Sequence, residues 1–190
     1  MASRLGYHVA MYRVAGLLAL AACTRGSNGV VDLDDHAVDR LPLGANATVL
    51  VFLASHCPIS TRYLPVLANI RARFAGRGVA FDAVYPDGDE LVDEVRAHAR
   101  DLGSGYLALR DPRHAIAERI GATVTPEAAV LGPRGELLYR GRIDDLYVDF
   151  GRSRPAAEHN DLQDAIEAVL VGRTPAPGAP PIGCAIMATD

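Results

Sequence analysis

The residues best suited to chemistry are the three cysteines, Cys23, Cys57 and Cys184, and their surroundings differ too much for one shared task. The shortest gap between them is 34 residues. Structural zinc sites bring ligands in close C-x-x-C pairs and c-type haem attachment needs C-x-x-C-H, so neither pattern is present. Cys57 stands in Ser55-His56-Cys57-Pro58, after an apolar run and before residues of helical periodicity. At such a corner, backbone amides and the positive end of the helix dipole favour an anion, which lowers a thiol below its free value of about 8.5. The thiolate is the nucleophile. His56 adds a positive charge when protonated, and Pro58 suits the first helical turn, where no amide hydrogen is needed. A buried structural cysteine fits this polar, proline-punctuated corner less well.

The elements around that corner follow from periodicity. Thr48–Leu53 is a continuous β-branched and aromatic run, the pattern of a central strand covered on both faces. Ile59, Tyr63, Val66, Leu67, Ile70 and Phe74 recur at three- and four-residue spacing, so a helix runs to about Phe74, kinked at Pro65 and stopped by Gly76 and Gly78. A strand over Val79–Tyr85, a turn at Pro86–Asp89 and a helix from Glu90 to Leu102 complete a βαβα unit with a parallel pair. Tyr106–Leu109 is a short extended piece and Pro112–Ile120 a short helix. Ala128–Leu131 and Glu136–Arg140 flank turn residues as a hairpin, and Asn160–Leu170 is an amphipathic helix. Past Gly172, Thr174–Pro181 holds four prolines and no charge. The fold class is α/β, a central mixed sheet flanked by helices with an extended Pro-rich C-terminal tail. Asp144-Asp145 reads as a solvated strand exit, and His98, His114 and His159 as surface histidines.

Composition bounds the rest. With 190 residues, 49% of them hydrophobic, the chain holds one ordinary domain plus appendages. Its net charge of −4 becomes −6 without residues 1–22, which hold Arg4 and Arg13 and no acid. No nucleic-acid partner is expected of so acidic a remainder.

Arg13 precedes an apolar run over Val14–Ala22, too short to span a bilayer and of the length of a signal core. It ends in Leu20-Ala21-Ala22-Cys23, which resembles a bacterial lipobox. The resemblance implies diacylation of Cys23, a mature chain beginning there, and a lipid-anchored location in the cell envelope. An ordinary secretory signal or anchor helix is the competing reading. Thr24, in place of an inner-membrane-retaining Asp, gives the outer membrane a mild preference. Translation from Met11 would also leave a complete signal. The domain reading is a lipoprotein signal over 1–22, a tether over 23–35, one domain over 36–172 and a tail over 173–190.

A strand ending in Cys57-Pro58 at a helix start, then Thr125-Pro126 before a hairpin and a final helix, resembles the thioredoxin fold. It is most similar to redoxins of the alkyl hydroperoxide reductase/thiol-specific antioxidant and peroxiredoxin-like group, over roughly residues 36–172. The resemblance implies that Pro126 is a cis-proline lying against the sulfur and that Thr125 faces substrate; His56 and Pro58 then belong to the substrate-binding surface. Two departures stand out. The thioredoxin C-x-x-C is here Cys57-Pro58-Ile59-Ser60, and Ser60 cannot form a disulfide. The peroxiredoxin P-x-x-x-T-x-x-C is also missing, with Ala54 at the threonine position and Leu50 at the proline position, although Arg140 or Arg142 could approach the site.

Cys184, in Ile182-Gly183-Cys184-Ala185-Ile186, is the candidate for a distant resolving thiol. A dozen residues of extended proline-rich chain cover about 37 Å, against a domain radius of gyration of about 14 Å, so reach is no obstacle. Three arrangements stay open: a redox couple of Cys57 and Cys184, a static staple, and a solitary tail thiol. The leading expectation is a thiol-disulfide oxidoreductase or thiol-dependent reductase of the envelope. It acts on a protein or small-molecule disulfide, or a hydroperoxide, takes electrons from an external thiol and uses no cofactor. One alternative is a Cu(I) metallochaperone using His56, Cys57 and Cys184 with Met187. The other is a non-catalytic adaptor with a permanent Cys57–Cys184 bridge.

Overall fold

The computed structural model describes residues 29–187, so the signal segment, Cys23 and Thr24 lie outside the described residues. Within them the element order is β1 (Val31–Asp32), β2 (Ala47–Phe52), α1 (Pro58–Phe74), β3 (Val79–Tyr85), α2 (Val92–Asp101), β4 (Leu107–Arg110) and α3 (Ala115–Ile120). There follow β5 (Val124–Thr125), β6 (Glu127–Leu131), β7 (Leu137–Gly141), β8 (Tyr147–Asp149), β9 (Arg152–Ser153), α4 (Asp161–Leu170) and β10 (Cys184–Ala185).

The main sheet has six strands in the order β1-β4-β3-β2-β6-β7. It is mixed: β2 and β3 pair in parallel, β3 and β4 likewise, and β2–β6, β6–β7 and β1–β4 are antiparallel. All six residues of β2 are buried, because helices cover both faces of the strand at the sheet centre. Val49 and Val51 face α1, α2 and α4 in one apolar cluster, and Leu50 and Phe52 face α3 in the other. Alternation along β2 therefore feeds two cores at once, and its end delivers Cys57 between layers.

Several expectations change in detail. Val31–Asp32, read as tether, pairs with Leu109 and Arg110 and forms the sheet edge. A two-residue strand carries too little pattern to stand out in sequence. The helix over Pro58–Phe74 continues through Pro65 as one element. The β8–β9 hairpin is an additional element, pairing Tyr147 with Ser153. Asp144 and Asp145 are buried and not solvated: Asp144 accepts from the Tyr63 hydroxyl and the Leu146 amide, and Asp145 from the amides of Glu158 and His159. His98 and His114 are buried too, because the end of β3 and its following turn supply partners, the Tyr85 hydroxyl at 3.0 Å and the Pro86 carbonyl at 2.9 Å.

Candidate active site: Cys57 and Cys184

Cys57 is the N-cap residue of α1, in extended conformation at φ −85° and ψ 114°, with Pro58 in the first turn. Its amide donates to the Ala54 carbonyl at 3.1 Å, and its carbonyl accepts from the Thr61 amide at 3.0 Å. The corner is thus a closed turn leading directly into helical hydrogen bonding. The side chain is fully buried.

Two loops converge on its sulfur. The Thr125–Pro126 peptide is cis, and the Cys57 thiol donates to the Thr125 carbonyl at 3.3 Å. Buried Glu127 fixes that loop by accepting from the Thr123 amide at 2.8 Å. The second loop is the C-terminal tail. Strand β10 pairs antiparallel with β5, Cys184 opposite Thr125 and Ala185 opposite Val124, and the Ile186 amide donates to the Thr123 carbonyl at 2.9 Å. Upstream, the Arg142 amide donates to the Ala179 carbonyl at 3.0 Å. The tail is therefore packed along the domain, and its docking delivers the Cys184 sulfur to 2.7 Å from that of Cys57. Both are free thiols.

The close approach of the tail depends on two glycines. A Cβ on Gly178 would overlap the Arg140 carbonyl, and one on Gly183 would overlap the Thr125 carbonyl oxygen. No other residue type lets the two backbones lie this close.

The electrostatics separate the two sulfurs. Burial opposes the charged form of Cys57, but donation from the Cys184 thiol and from the amide and hydroxyl of Ser60 outweighs it and holds the thiol below its ordinary value. Burial and the neighbouring Cys57 push Cys184 up to about 11. Cys57 is the group that ionises first, and Cys184 the one that keeps its proton. Ser60, fully buried, also accepts from the Ala54 amide at 3.3 Å, so its hydroxyl is oriented toward the sulfur. It occupies the position of a second C-x-x-C cysteine and serves as a donor there.

His56 points away from this pair. Its Nδ1 lies 3.3 Å from Glu90 and its Nε2 3.6 Å from Asp87. Glu90, with a side chain only 2% exposed, also accepts from the Ser55 amide and so ties the turn before Cys57 to the segment after β3. Sequence reading missed Glu90, whose partners lie some 35 positions away in the chain. Nor do the arginines approach the sulfur: Arg140 is held by Glu127 and the Gly121 carbonyl, and Arg142 by Asp161 at 3.0 Å. Among the described residues, the group of three close ligating side chains is Asp145, Glu158 and His159, with Arg154 paired to Asp145; His56, Cys57 and Cys184 do not form such a group.

A cleft of about 670 Å³ opens beside the pair, between the turn after β3, the segment before α3 and the tail. Cys184, Thr125, Pro86, Asp87 and Arg113 line it, and Cys57 does not.

Comparison with known proteins agrees with this architecture. The chain is similar to a hypothetical protein from Sinorhizobium meliloti 1021, with 27% identity, a TM-score of 0.66, and coverage of 77% of this chain and 81% of that one. An uncharacterized conserved protein from Geobacillus kaustophilus superposes with a TM-score of 0.70 at 24% identity, covering 85% of this chain and 88% of the other. A secreted Mycobacterium tuberculosis disulfide oxidoreductase shares the fold at a TM-score of 0.52 and 17% identity, over 75% of this chain and 93% of its own. A search of curated proteins gave no match. The AhpC/TSA family model matches residues 24–140, which includes Cys57 and the cis-proline loop and stops short of Cys184. This chain, an α/β protein of thioredoxin-like fold, belongs to the AhpC/TSA family.

Proposed function

We propose that the protein is a thiol-disulfide oxidoreductase in which Cys57 is the nucleophile and Cys184 the resolving thiol. The observation that carries this reading is the 2.7 Å contact between the two sulfurs beside the cis-proline loop. In the cycle, the tail lifts from β5 and the Cys57 thiolate attacks a substrate disulfide. A mixed disulfide forms and one substrate thiolate leaves. Cys184 then gives up its proton and attacks Cys57, releasing the second substrate thiolate and leaving a Cys57–Cys184 disulfide, which an external thiol reduces. The two-residue β5–β10 ladder suits this movement, since so few hydrogen bonds hold it.

A disulfide is favoured over a hydroperoxide as substrate, because the peroxidatic threonine is missing from the motif and Arg140 and Arg142 are engaged elsewhere. The Cu(I) alternative lacks a His, Asp or Glu gathered with the two sulfurs among the described residues. Replacing Cys57 by Ser and assaying disulfide and hydroperoxide reduction tests the reading: both activities of the variant fall to background if Cys57 is the nucleophile, and full retention refutes it.

The same proposal puts the protein in the bacterial envelope, anchored through diacylated Cys23, with the outer membrane preferred. The lipobox-like Leu20-Ala21-Ala22-Cys23 supports this. Labelled palmitate incorporated by the native chain and lost with Cys23→Ala is the expected result; equal labelling of the variant contradicts the anchor.

A further inference from the structure

Cys57 is fully buried beneath the tail, whereas Cys184 is partly exposed and borders the cleft. A reductant approaching the closed form therefore meets the Cys184 sulfur first. The edge of β5, where an extended polypeptide could pair its backbone, is already filled by β10. What stays open is a concave space of about 670 Å³, a size that takes a small molecule. Its walls carry opposite charges, Asp87 and Asp89 on the turn after β3 and Arg113 before α3. Arg113 has no carboxylate partner among the described residues, while Asp87 is shared with His56.

We propose that this cleft binds a low-molecular-weight thiol carrying both a carboxylate and an ammonium group, and that this thiol reduces the protein by attacking Cys184. Arg113 takes the carboxylate, and Asp87 and Asp89 the ammonium. The incoming thiolate forms a bond to the Cys184 sulfur, the Cys57–Cys184 bond breaks, and its electron pair leaves on Cys57. A second molecule of the thiol attacks the donor's sulfur in the mixed disulfide. That step releases the oxidised donor as its disulfide and returns Cys184, which takes up a proton. Exchange is faster when the more acidic thiol departs, and Cys57 is the more acidic of the two. Burial and acidity thus select the same direction of attack.

This inference rests on the dithiol reading above, and the experiment separates the two. The full chain is oxidised, and alkylation with peptide mass mapping first establishes whether the Cys57–Cys184 disulfide is present; its absence refutes the dithiol reading before any donor is added. The oxidised protein is then reduced by glutathione and, separately, by uncharged 2-mercaptoethanol, with acid quenching and mass mapping of the mixed disulfide. The glutathione adduct is expected on Cys184. In Arg113→Ala and in Asp89→Asn, the ratio of the glutathione rate to the mercaptoethanol rate is expected to fall about fivefold, the effect of one lost charge pair. An adduct on Cys57, or a ratio preserved in both variants, overturns the inference.

Discussion

Gly183 lies so close to Thr125 that a Cβ on the glycine would stand 2.7 Å from the Thr125 carbonyl carbon and 3.1 Å from the Pro126 nitrogen. The meeting of Cys57 and Cys184 is therefore controlled by a residue with no side chain. Gly183→Val leaves every thiol in place and removes the close approach. Expected outcomes are alkylation of Cys57 in the native protein at least about tenfold faster than in the parent chain, and slower disulfide formation, with about 1.4 kcal/mol of tail docking lost for each tenfold change. Timed alkylation with peptide mass mapping measures both.

Ser60 stabilises the Cys57 thiolate through its amide and its hydroxyl. Ser60→Ala removes the hydroxyl and keeps the amide. That hydroxyl is one of the donors holding the thiol below its ordinary value, so the Cys57 pKa is expected to rise. The pH dependence of Cys57 alkylation reads this directly: the profile shifts to higher pH, and an unmoved profile contradicts the assignment.

Asp82 is buried in β3 with an oxygen that lacks a hydrogen-bond partner, and burial pushes its carboxyl up to about 7. Between the unfolded carboxylate range near 4 and about 7, the folded state holds a proton that the unfolded state has released. Stability contributed by this group therefore falls as pH rises through that window and levels off above it. The size is on the order of 4 kcal/mol. Asp82→Asn is expected to flatten the urea-unfolding midpoint over this pH range and to raise it at pH 8.

The Tyr63 hydroxyl donates to buried Asp144 across 81 positions of chain, and Tyr63 packs its ring 5.9 Å from that of Tyr147. Tyr63→Phe keeps the ring contact and leaves Asp144 one donor short. A loss of about 1–3 kcal/mol in urea unfolding follows. The contact braces α1 against the segment after β7.

The parts of this protein legible in sequence are those with local causes. Burial on both faces wrote Ala47–Phe52 as an unbroken apolar run, and Pro58 together with Gly76 and Gly78 framed α1. The strand Val79–Tyr85 has the bounds its pattern predicts. What escaped depends on distant partners. His98 and His114 are ordinary polar positions until Tyr85 and Pro86 meet them, and Glu90 looks like a solvated helix start until Ser55 and His56 fold over it. The same holds for the site. Cys57 was legible from its corner, and Cys184 as a thiol within reach. Their meeting was one of several open arrangements, because what brings them together is the register that sets Cys184 opposite Thr125 and the bare backbone of Gly183.

A single-turnover experiment tests the central claim most directly. The fully reduced chain is mixed with an equimolar disulfide substrate, quenched in acid at intervals, alkylated and mapped by mass. The account predicts a transient substrate adduct on Cys57, followed by one Cys57–Cys184 disulfide per chain formed at the rate of substrate reduction. In Cys184→Ser the adduct on Cys57 is expected to accumulate. Substrate reduction with Cys57 and Cys184 still unpaired, or at an undiminished rate in Cys57→Ser, would contradict it.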